Sequence, residues 1–70
     1  MQTNHLTLLS VVQRNYLHAY LIAEQERARM AGDAEHVLRL TARLSELAQS
    51  HGPIALDRDE YAAAMQLEAA

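Results

Sequence analysis

The chain has 70 residues, no Cys, no Trp and no Phe, and a formal net charge of −3. That length holds one small domain, and the missing Cys excludes a disulfide framework or a thiolate metal site. The acidic balance argues against a general nucleic-acid binder, which carries a basic excess. All six basic residues are Arg, half the residues are apolar, and Leu and Ala dominate them. This composition favours helices over strands.

Residues 1–9 leave two starts open. Thr3, Asn4 or Thr7 could cap an early helix, or an extended arm could pack Leu6 and Leu8 onto the helices. We take the first helix as about 5–31. Within it, Ser10 and Gln13 form the S-x-x-Q pattern of a capping box. Leu9, Val12, Tyr16, Ala19, Ala23 and Met30 share one stripe at heptad spacing. Leu17, Leu21 and Ala28 form a second strip, with Val11 and Ile22 on the other flank. So wide an apolar arc exceeds what one partner helix covers, which predicts burial on two sides.

Gly32 suits the left-handed residue that closes this helix, and Asp33 can cap the next one. The second helix spans about 34–50. Val37, Leu40, Thr41, Leu44, Leu47 and Ala48 make one narrow seam, extended by His51. Glu35, Arg39, Arg43, Glu46, Gln49 and Ser50 lie opposite, and Leu38 points away from the seam. Gly52 and Pro53 end the helix. So short a connection makes the two helices an antiparallel hairpin.

The tail begins with an extended stretch, 52–57, anchored by Ile54 and Leu56. Asp57 and Glu60 repeat the capping-box spacing and start a short helix of about 58–68. Tyr61, Ala64, Met65 and Glu68 share one of its faces. The predicted fold class is all-α: a helical hairpin plus a short third helix, paired as a homodimeric four-helix-type bundle. Leu9, Val12, Tyr16, Ala19 and Ala23 are its expected dimer core.

Catalytic chemistry finds no support in the residues. Ser10, Ser45 and Ser50 fall at a cap, on a helix surface and at a helix end. Gly32 and Gly52 are both explained by helix termination, so no phosphate-cradling loop is present. His5, His18, His36 and His51 do not form a compact ligand set. We therefore expect no enzyme activity, no cofactor and no metal. The longest apolar run, Ala19 to Ala23, is far short of a membrane span. Without a basic, apolar leader in the sequence, we expect a cytoplasmic location.

Tyr and Arg suit protein contacts instead. Tyr16 and Tyr20 are one turn apart, and Tyr joins a large ring to a polar tip. Arg39 and Arg43 could grip carboxylates on an acidic protein surface. Tyr20, Arg39, Arg43 and Tyr61 are the expected partner-binding residues.

The architecture over Ser10 to Pro53, Arg-rich and lacking Lys and Cys, resembles small phage-encoded helical-hairpin proteins that inhibit host bacterial regulators. Among them are blockers of quorum-sensing transcription factors and of pilus-assembly ATPases. The resemblance implies a homodimer that masks a host protein's working surface, and it transfers no functional residue. The alternative class is a small dimeric nucleic-acid-binding regulator.

Overall fold

The structure is a computed structural model that describes residues 5–66. Its elements run β1 (His5–Thr7), α1 (Val11–Met30), α2 (Ala34–Gln49), β2 (Ile54–Leu56) and α3 (Arg58–Met65). Among the described residues, three helices and one two-stranded antiparallel sheet make up the fold. The early cap candidates Thr3 and Asn4, and Glu68 on the tail helix, lie outside the described residues.

The first helix starts at Val11, later than the expected residue 5, because Ser10 holds an extended conformation at its N-terminus. Ser10 Oγ accepts from the Gln13 N–H at 3.1 Å, and Gln13 Oε1 accepts from the Ser10 N–H at 2.9 Å. This reciprocal box satisfies two donors that a helix end otherwise leaves bare. Upstream, residues 5–7 form β1 and pair with β2, Leu6 facing Ala55 and Thr7 facing Ile54. On β2, Ile54 and Leu56 are buried while Ala55 faces outward. Leu6 shares that outward side and is 76% exposed, and Leu8 is 71% exposed. The arm is thus extended, but Leu9 is the residue it buries.

The α1–α2 turn is a Schellman motif. The Gly32 N–H donates to the Arg29 carbonyl at 3.0 Å, and the Asp33 N–H donates to the Ala28 carbonyl at 2.9 Å. Gly32 sits at φ +73°, where a side chain is strained. Asp33 then caps α2 by accepting from the His36 N–H at 3.2 Å. At the far end of α2, the Arg14 guanidinium donates to the Leu47 carbonyl. A cation there answers the negative end of the helix dipole. In α3, Asp57 and Glu60 form a second capping box, with bonds of 2.8 and 3.1 Å.

The core joins Leu9, Leu17, Leu21, Ala28, Leu40, Leu47, Ile54, Leu56 and Ala64, with Tyr20, Val37, Leu44, Tyr61 and Met65 packed around it. Leu17, Leu21 and Leu56 are its fully buried large groups. Both α2 and α3 pack on α1. Gln13 Nε2 reaches Met65 Sδ at 3.3 Å on the α3 side, and Gln25 Nε2 donates to Thr41 Oγ1 at 2.7 Å on the α2 side. The strip of α1 that these neighbours cover is therefore Leu17–Leu21–Ala28. Among the described residues, no helix is long and apolar enough to cross a membrane.

Candidate interaction surface

At about 100° per residue, the covered strip of α1 fixes what lies opposite. Ala19 points directly away from Ala28, flanked by Val12, Tyr16, Ala23 and Met30. Val12 is 56% exposed, Tyr16 42%, Ile22 43% and Met30 81%. Ala19 and Ala23 are exposed as well. Four of the five expected dimer-core residues, Val12, Tyr16, Ala19 and Ala23, therefore share one open face. Leu9, the fifth, is buried in the chain's own core.

This face is also uncharged over most of its length. Between Val11 and Ala23, the exposed residues are Val11, Val12, Asn15, Tyr16, His18, Ala19, Ile22 and Ala23. Arg14 belongs to this segment but is drawn over to α2. Charges begin at the C-terminal turns, where Arg27 pairs with Glu24 and Arg29 pairs with Glu26. The outer face of α2 behaves oppositely: Glu35, Arg39, Glu46 and Gln49 are all exposed there. The α2 pattern is the ordinary solvated one, and the α1 pattern departs from it by exposing apolar groups in one strip.

The four expected partner-binding residues divide between core and groove. Tyr20 and Tyr61 pack against the core. Burial raises the Tyr20 hydroxyl pKa above its ordinary value, and the charges of Glu24, Asp59, Asp57 and Glu60 raise it further. Arg39 and Arg43 share a groove between α2 and the β2–α3 segment, lined also by Glu46, Asp57 and Glu60. Arg39 is exposed, its guanidinium 3.1 Å from His36 Nδ1.

Arg43 is held within the chain. Its Nε and Nη2 each lie 2.8 Å from a Glu60 oxygen, and its Nη1 lies 2.9 Å from Glu46 Oε1. Nη2 also donates to the Ala55 carbonyl. The Glu60 hydrogen bonds raise the Arg43 pKa further, so the guanidinium stays charged. Glu60 is only 7% exposed, and it is the ionic residue that sequence reasoning missed. Its place as a helix-capping residue was legible, but a partner 17 positions away was not.

A second open feature lies at the hairpin turn. Arg29, Gly32, Asp33, Ala34, Val37 and Leu38 line a shallow, mainly apolar groove. Leu38, 70% exposed, forms part of it. Among the described residues, no group of three or more His, Asp or Glu could hold a metal ion, and every buried side-chain polar atom has a hydrogen-bond partner. No protein-family model, curated protein or solved structure matches this chain.

Proposed function

We propose that this chain is a non-enzymatic protein-binding module that acts stoichiometrically, and that its contacts run through the outer face of α1. The observation that carries this reading is the uncharged, largely apolar strip from Val11 to Ala23, left open by α2 and α3. Burying such a strip against protein releases ordered water and desolvates no fixed charge. In the setting implied by the resemblance to phage inhibitors, the module masks the working surface of a bacterial regulator or ATPase.

The nucleic-acid alternative draws less support. Phosphate binding needs several free cations, yet Arg43 is occupied by Glu60 and Glu46, and Arg27 and Arg29 are paired on their own helix, which leaves Arg39 and the loosely paired Arg58 as the open ones among these.

The test is capture from a bacterial lysate on immobilised chain, with and without nuclease, comparing wild type with Ala19→Glu. Ala19 is exposed, so the substitution leaves the core alone. The expected result is a defined protein recovered equally from both halves and lost with Ala19→Glu. Recovery that needs nucleic acid, or that ignores Ala19→Glu, overturns the reading.

A further inference from the structure

We infer that the outer face of α1 is occupied by a second copy of this chain, the two α1 helices crossing antiparallel with Ala19 against the partner's Ala23. This rests on the reading of that face as a contact surface and names the occupant it has when no foreign chain is bound.

The first argument is self-complementarity. The midpoint of Val11–Met30 falls beside Tyr20 and Leu21, and on the open face the residues flanking it are Ala19 and Ala23. Two small residues one turn apart let two helix backbones approach closely at that point. An antiparallel two-fold there sets Val12 against the partner's Met30, so large groups fill both ends while small ones meet at the centre. It also sets Tyr16, a hydroxyl donor, against the partner's Glu26, a carboxylate acceptor. A parallel pairing would instead bring Glu26 against its own copy.

The second argument is the hairpin-turn groove. In the antiparallel register, the N-terminal end of one α1 lies at the C-terminal end of the other. Leu8 and Val11, 71% and 74% exposed, then arrive beside the partner's Gly32 to Leu38, where the apolar groove lies. The same register thus gives two separate open features an occupant.

The third argument is area. Leu8, Val11, Val12, Tyr16, Ile22 and Met30 are between 42% and 81% exposed. At roughly 100 Å² of open surface each, they supply about 600 Å² per copy. A total of about 1,200 Å² is the lower edge of specific interfaces and above ordinary lattice contacts. That size fits a dimer whose dissociation can be followed by dilution.

The experiment is sedimentation equilibrium from low micromolar to near-millimolar concentration, on wild type and Ala19→Glu. The wild type should pass from monomer to dimer, while Ala19→Glu stays monomeric, with an unchanged circular-dichroism melt at the low micromolar end where the wild type is monomeric too. The chain has no Cys, so Arg27→Cys, once shown to sediment as wild type, carries a single spin label. In the antiparallel dimer, position 27 lies level with position 15 of the other copy, so the two labels are separated by about 18 Å along the helix axis, from a rise of about 1.5 Å per residue. In a parallel dimer they lie about 10 Å apart.

A dimer that survives Ala19→Glu, or a short label distance, overturns the inference. So does a wild type that is monomeric at every concentration, although the face then remains available to a foreign chain. The proposed function is overturned separately, by capture from lysate that ignores Ala19→Glu.

Discussion

Removing Arg43 should cost more stability than removing the carboxylate it holds. In Arg43→Ala, Glu60 keeps only the Asp57 N–H at 3.1 Å and stays nearly buried, its side chain 10% exposed. Breaking one side of a buried pair costs about 3–5 kcal/mol. Arg43 is itself 21% exposed, which places the expected loss near the lower end, about 3 kcal/mol. Glu60→Ala should cost less, about 2 kcal/mol, because the guanidinium keeps Glu46 and can turn toward water. A chain of this size holds roughly 4–10 kcal/mol in all, so either loss is a large fraction. With a urea slope of about 1 kcal/mol/M, the midpoint for Arg43→Ala should fall by about 3 M. The double variant should lose clearly less than the two singles combined, since each single already breaks the same pair. Losses below about 1 kcal/mol for both singles, or strict additivity, would refute a desolvated pair.

Two further substitutions test the turn and the half-buried tyrosine. Gly32→Ala meets nothing within 4 Å, so its cost comes from the backbone at φ +73° alone, about 1 kcal/mol. Gly52→Ala, also in open space and without positive φ, should be near neutral. Equal urea midpoints for the two would remove the left-handed closure of α1. Tyr20 has a folded pKa raised above 10.0, so the fold favours its neutral hydroxyl. Its contribution is complete below pH 10 and is lost as pH rises through the raised folded value. Stability measured by urea titration across this alkaline range should therefore fall less steeply in Tyr20→Phe, and an unchanged slope would count against the burial of the hydroxyl.

The parts of the fold that were legible in the sequence are those set by neighbours three residues apart. Ser10 with Gln13, Asp33 with His36 and Asp57 with Glu60 each close a helix end through local bonds. The α2 seam was legible for the same reason, its apolar positions being few and in one row. The β1–β2 pairing was not, because its partners, Thr7 and Ile54, are far apart in sequence and three-residue strands carry no useful period. Nor could the sequence rank the two apolar strips of α1. Both have helical spacing, and the Leu9–Met30 stripe has the more regular heptad.

The choice between those strips is made by elements outside the hairpin. Leu17 and Leu21 lie on the side where α2 and α3 can cover α1 together, and β2 adds Ile54 and Leu56 to the same core. The Arg43–Glu60 pair ties α2 to α3 across that core. Val12, Ala19 and Ala23 could replace the covered strip only with smaller groups, so the bulkier Leu pair goes inside. Being left out does not by itself explain why the other strip stays apolar, since a solvated helix face tolerates Glu, Lys and Arg at little cost. The exposed side of α2, from Glu35 to Gln49, shows that this chain does place charge on solvated helix faces. Its absence from Val11 to Ala23 is therefore not a general habit of this chain's solvated helix faces, and the proposed contact accounts for it. Ala19→Glu separates the two explanations: it should remove the contact without lowering the melt of the monomer.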